Sequence, residues 1–147
     1  MALLDQLNKD LKAAMKSKDK ITLETIRSLK SMLRDKEIEK NDDLSEEEQI
    51  QVLSTAAKRR RESIESYEEG GRQELADQEK AELQVIEQYL PEQMSEDDIR
   101  ILVDEVITET GAETMQDMGR VMGTIMPRLR GKADGSQVQQ IVQEKLS

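Results

Sequence analysis

Histidine, cysteine, tryptophan and phenylalanine do not occur in this chain of 147 residues, and tyrosine occurs only twice. Without His, no side chain titrates near neutral pH unless its surroundings shift it. Without Cys there is no thiolate nucleophile, thiolate metal site or disulfide. Zinc sites, haem sites and triad-type catalysis are therefore set aside, and neither a cofactor nor a metal is expected. No apolar run approaches the roughly 18 residues needed to span a bilayer, and the N-terminal stretch carries an acid at Asp5 and no uninterrupted apolar run. The expectation is a soluble, intracellular, cytoplasmic protein with no membrane partner.

Lys and Arg number 22 against 32 Asp and Glu, a net charge of −10, and 37% of residues are charged while 35% are hydrophobic. The core must be thin and built from Leu, Ile, Val, Met and Ala, which argues against a broad sheet sandwich. Residues 1–90 hold 16 basic and 21 acidic groups and residues 91–147 hold 6 and 11, so each part carries −5. Acidity does not divide the chain, and it disfavours indiscriminate binding to nucleic acid or anionic lipid.

Apolar periodicity predicts seven helices. Leu4, Leu7, Leu11, Ala14 and Met15 mark the first, over about residues 2–17, and Leu23, Ile26, Leu29 and Leu33, with Ile38 as a further candidate, mark the second, from Ile21 to about Glu39. Ser45 and Glu48 form a capping-box pattern that opens the third, which runs to Gly70 and Gly71. The fourth is expected from Gln73 to Leu90, stopped by Pro91, and two glycines between long partners predict an antiparallel hairpin. Ser95 restarts the chain for a fifth helix closed by Gly111; a sixth spans about 115–129 and a seventh about 135–146, capped by Asp134 or Ser136. The fold class expected is all-α, with an N-terminal helical domain over 1–90, a junction at Leu90–Ser95 and a small C-terminal three-helix bundle over 95–147.

Two stretches carry concentrated positive charge. Lys58, Arg59, Arg60 and Arg61 place four cations in little more than one helical turn. They read either as a phosphate-contacting patch, through Lys58 and Arg59, or as a hairpin seam in which Arg60 or Arg61 pairs with Glu79 or Glu82. Between Met118 and Ala133 stand Arg120, Arg128, Arg130 and Lys132 without one acid. In the same stretch Gly119 and Gly123, four apart, form a smooth helical strip suited to close packing, and Gly131 and Gly135 bracket the turn into the last helix. Met115, Met118, Met122 and Met126 read as core filler or as an adaptable partner-binding face. The carboxylates lie on polar helix faces, where no pKa would be brought near neutrality for acid–base work.

The segments YLPEQMSEDDI, GAETMQDMGRVMGTIMPRLRGKADG and VQQIVQEKLS, following the N-terminal MALLDQLNKDLKAAMKSKDKITLETIRSLKSML, resemble the bacterial YqeY family over essentially the whole length. The resemblance implies an all-helical, two-part protein whose C-terminal module is similar to the tail domain of the B subunit of tRNA-dependent Asp/Glu amidotransferase, where the tail helps hold the tRNA. It places the glycine strip on Gly119 and Gly123 and the basic turn on Gly131, Lys132, Ala133 and Asp134. Asp134 stands where that tail commonly carries Asn, which points to capping for Asp134. The kinase-like cradle and the Ser-Lys amidase of the complete amidotransferase have no counterpart here. The expected role is a tRNA-binding or amidotransferase-associated adaptor, not a catalyst by itself. Its partners are tRNA and an aminoacyl-tRNA-related protein, and its RNA contacts are Arg120, Arg128, Arg130, Lys132, Lys58 and Arg59. The alternatives are a helical protein–protein module, and an accessory to glutamine-dependent carbon–nitrogen ligase activity.

Overall fold

The computed structural model describes residues 2–147, which form two compact units, one ending at Pro91 and the other spanning Glu92–Ser147. Both are helical, and no strand occurs among the described residues.

Helix α1 (Ala2–Ser17) buries Leu7 and Ala14 and turns through Lys18, at φ 59°. Asp19 then caps α2 (Lys20–Lys40) by accepting the Thr22 N–H at 3.2 Å and the Thr22 hydroxyl at 2.7 Å. Asn41 ends α2 in the left-handed region, φ 60°, a conformation its short polar side chain tolerates. At the head of α3 (Glu46–Glu69), Ser45 accepts the Glu48 N–H at 3.2 Å and Glu48 accepts the Ser45 N–H at 3.0 Å. Glu48 also accepts from the Lys40 ammonium, and that bond first, then the Ser45 bonds, draws its carboxyl down to about 2.

Helix α4 (Gln73–Glu87) ends three residues before the expected Leu90. Pro91 disfavours helical geometry at Leu90, and the chain leaves the helix through short turns, Tyr89 N–H to Ile86 C=O at 3.0 Å and Leu90 N–H to Glu87 C=O at 3.2 Å. The ion pairs Lys80–Glu68 at 2.8 Å and Arg60–Glu82 at 3.1 Å run in opposite senses along α3 and α4, as an antiparallel hairpin requires. Ala56, Ala57 and Ala76, all fully buried, let the helices approach closely. Leu7, Ile26, Leu29, Leu33, Leu53 and Ile86 form the centre of this unit's core.

In the second unit α5 (Glu96–Thr110) is capped by Ser95, which accepts the Asp98 N–H at 3.2 Å, and closed by Gly111 at φ 67°. The expected sixth helix begins as a 3-10 turn, Met115–Asp117, and continues as α6 (Met118–Leu129); α7 (Gly135–Leu146) follows. Asp117 tightens that first turn by accepting the N–H groups of Glu113 and Thr114 at 2.9 and 3.2 Å. Asp134 caps α7, accepting the Ser136 N–H at 3.1 Å. Ile99, Val103, Val106, Val121, Ile125, Leu129 and Val138 are wholly buried at the centre, with Met118, Met122 and Met126 packed around them. Gln93 and Met94, assigned to the junction on sequence, are bound to this unit: Gln93 Nε2 donates to the Gly131 C=O at 2.7 Å and Met94 N–H to the Lys132 C=O at 2.9 Å.

Candidate nucleic-acid interface

Three buried residues, Val121, Ile125 and Leu129, recur every fourth position on α6 and set which side of that helix faces the core. Arg120 and Arg128 fall off the stripe and are exposed; Arg130 and Lys132 follow in the exposed turn to α7. Two of these cations meet acids, one a near neighbour in sequence and one brought up by the fold. Asp117 pairs with Arg120 at 3.2 Å, and Glu109, reaching from α5, takes Arg128 through two hydrogen bonds of 2.8 and 3.2 Å. The mutual hydrogen bond raises the pKa of Arg128 and lowers that of Glu109. Both pairs are solvent-exposed, and pairs of that kind contribute only about 0–1 kcal/mol, so a phosphate can displace the carboxylate at small cost. Lys132 makes no ion pair among the described residues, while its main chain is held by Met94 and by its own N–H bond to the Leu129 C=O at 2.8 Å.

Among the described residues of the second unit nothing packs on the glycine strip, where close helix packing was expected. Gly119 and Gly123 are exposed, and a Cβ built on either meets nothing within 4 Å among the described residues, because the core-facing stripe lies on another side of α6. Pro127 continues the strip at the same four-residue step and is exposed as well, inside the helix. Interior proline costs a helix about 3 kcal/mol and each glycine about 1 kcal/mol relative to alanine, so three poor helix formers on one open face mark a place where stability has been given up. Gly119→Ala and Gly123→Ala together should raise the stability of this unit by about 1–2 kcal/mol, read as a higher melting temperature. A lower one would mean that the strip is covered. Gly131 is a turn residue at φ 76°, and Gly135 opens α7 with the Met126 methyl 3.4 Å from a built Cβ.

The Lys58–Arg61 run splits between the two readings. Arg60 and Arg61 turn onto α4, Arg60 toward Glu79 and Glu82 at 3.5 and 3.1 Å and Arg61 toward Glu87 at 3.7 Å. Lys58 and Arg59 remain exposed. They belong to the first unit, whereas Arg120, Arg128, Arg130 and Lys132 belong to the second. A further cation cluster, on α1 and α2, vanishes when charge is summed over residues 1–90; a sum helix by helix reveals it. Of the four methionines, Met118, Met122 and Met126 serve as core filler and Met115 is 42% exposed.

The family model described as Yqey-like protein matches residues 4–146. A fungal relative from Pyrenophora tritici-repentis, named altered inheritance of mitochondria protein 41, mitochondrial, is 33% identical over 97% of this chain and 80% of its own length. Its namesake from Lachancea thermotolerans is 36% identical over 70% of this chain and 57% of its own. A component of the glutamyl-tRNA(Gln) amidotransferase of Thermococcus gammatolerans is 34% identical over 56% of this chain, a region amounting to 14% of that longer protein. The mitochondrial names of the fungal relatives overturn the cytoplasmic placement expected from sequence. That placement rested on the lack of a spanning segment; no helix among the described residues is long and apolar enough to cross a membrane, but such a lack does not specify a compartment.

Proposed function

The chain belongs to the YqeY-like protein family, and on that premise we propose that it is an RNA-binding adaptor for tRNA that performs no chemistry of its own. The observation that carries the reading is the likeness to an amidotransferase component named for a tRNA substrate, over 56% of this chain but only 14% of that protein. Exposed cations beside the open strip of α6 support it. Arg120, Arg128, Arg130 and Lys132 contact phosphates, with Lys58 and Arg59 as further contacts in the first unit. An aminoacyl-tRNA-related protein supplies the affinity that few cations cannot. The protein would then accompany glutamine-dependent amide transfer without carrying it out, since its residues offer no counterpart to the kinase-like cradle or the Ser-Lys amidase of the complete amidotransferase. The rival reading, a protein-binding module using the Met-rich face, is weakened because Met118, Met122 and Met126 pack against their own core.

Titration of labelled tRNA against the full chain tests this. Saturable binding that weakens with salt is expected, and the four cations of residues 120–132 by themselves limit the slope of log K against log salt to about −3 to −4. No binding at low salt would overturn the adaptor reading. Recovery of a protein partner after nuclease treatment, lost on Met122→Asp in a protein that still folds, would favour the rival.

A further inference from the structure

Residues 2–40, the α1–α2 hairpin, hold ten cations and seven acids, a local +3 in a chain of net −10, and within residues 9–34 the balance is eight to three. The three acids of that inner stretch are already engaged. Asp10 accepts the Tyr89 hydroxyl, Asp19 caps α2, and Glu24 lies 4.0 Å from Lys20. Lys9, Lys12 and Lys16 stand on α1 at i, i+3 and i+7, on the side opposite Leu7 and Ala14, and with Asp5 and Asn8 they line one shallow groove. Arg27, Lys30 and Arg34 repeat the same spacing on α2, outside its buried stripe of Ile26, Leu29 and Leu33. None of these six makes an ion pair among the described residues, whereas Arg120 and Arg128 are each paired with an acid.

Like charges at i, i+3 and i+7 repel one another along a helix face and lower its stability, so the arrangement has no structural use in the isolated chain. Each triplet extends about 10 Å along its helix, a line of charge suited to a polyanion with regularly spaced groups. A bilayer surface is a poorer fit. The apolar stripes of both helices are buried in the core, and exposed apolar side chains near the turn amount to Met15 and Ile21. The arginines on α2 suit phosphate, whose oxygens a guanidinium contacts in pairs.

We propose that the cations of the α1–α2 hairpin are the principal phosphate-backbone contact of this protein and that their ligand is structured RNA. The inference rests on the adaptor reading and moves the weight of the contact from residues 120–132 to residues 9–34. With so few aromatic side chains for stacking, recognition follows backbone shape and not base sequence.

The test compares three full-length proteins by anisotropy of labelled, deacylated tRNA at about 50 and about 200 mM salt: wild type, a hairpin variant carrying Lys9→Gln, Lys12→Gln, Arg27→Gln and Arg34→Gln, and a C-terminal variant carrying Arg120→Ala, Arg128→Ala, Arg130→Ala and Lys132→Ala. Circular dichroism melts establish that each folds. The hairpin variant should bind at least about tenfold more weakly at the lower salt, with a salt slope shallower by about 3, and the C-terminal variant should lose less than about threefold. Equal losses, or a loss confined to the C-terminal variant, would overturn the inference and leave the adaptor reading standing. Wild type that binds no tRNA defeats both. Hairpin-dependent binding to phosphatidylcholine vesicles containing one-third phosphatidylglycerol, without tRNA binding, would likewise defeat both in favour of a membrane surface.

Discussion

Ile125→Ala is expected to cost the C-terminal unit about 2–5 kcal/mol, the usual range for removing a wholly buried branched side chain and leaving a cavity. Ile125 is 0% exposed and sits on α6 between Val121 and Leu129, facing α5 and α7. The unit has no aromatic side chain to fill the space by rearrangement, and its core is made of small aliphatic groups and methionines. A helical unit of this size has a total stability on the order of 5 kcal/mol, so one such cavity removes a large share of it. Urea unfolding followed by circular dichroism measures the effect. Ile101→Ala is the control: the same atoms are lost from a side chain 57% exposed, and the change should stay within about 0.5 kcal/mol. A cost below about 1 kcal/mol at Ile125 would mean that the three helices are not packed around it.

Arg60→Ala should destabilise the N-terminal unit by about 3 kcal/mol at neutral pH, because it removes the cation from a largely buried seam and leaves two carboxylates facing each other. Arg60, Glu79 and Glu82 expose only 21%, 21% and 16% of their side chains, and the guanidinium Nε lies 3.1 Å from Glu82 and 3.5 Å from Glu79. Even with Arg60 present, burial and then the neighbouring Glu82 hold the Glu79 carboxyl above its ordinary pKa of 4.5. The folded state therefore binds that proton more tightly than the unfolded chain. Ionising Glu79 weakens the fold as pH rises through the raised pKa, and protonating it restores stability as pH falls toward 4.5. Removing Arg60 raises that pKa further, so the loss in the Arg60→Ala protein should shrink between pH 7 and pH 5. The Glu79→Gln protein, which keeps the Arg60–Glu82 pair, should be as stable as wild type or slightly more so at neutral pH. A pH-independent loss in Arg60→Ala would show that the seam is solvated and the pairs incidental.

Helix starts were readable because their signals are local. Ser45 with Glu48, Ser95 and Asp134 each satisfy free N–H groups within three residues, and such short-range bonds depend little on the rest of the fold. Helix ends were less so. The periodicity of α4 continues to Leu90, yet the restriction imposed by Pro91 propagates backward and the helix stops at Glu87. The open glycine strip was legible in part, since Gly119 and Gly123 lie off the Val121–Ile125–Leu129 stripe. That no described residue packs on them was not legible, because which side of α6 is covered depends on how the three helices are arranged. In the charge island of residues 118–133 one pairing was not legible for a different reason: Glu109 is 19 residues from Arg128 in sequence and meets it across two helices.

By itself the sequence determined that the chain is all-helical and where most of its helices begin, because backbone satisfaction and apolar period are properties of neighbouring residues. It also withheld the chemistry of His and Cys from any site. Tertiary structure decided which charges face one another. Arg60 met two acids at a seam, Arg128 met Glu109 on another helix, and six cations of the α1–α2 hairpin met none among the described residues. Electrostatic interaction depends on distance through space, and in a chain with 37% charged residues the order of residues leaves those distances open until the helices have packed.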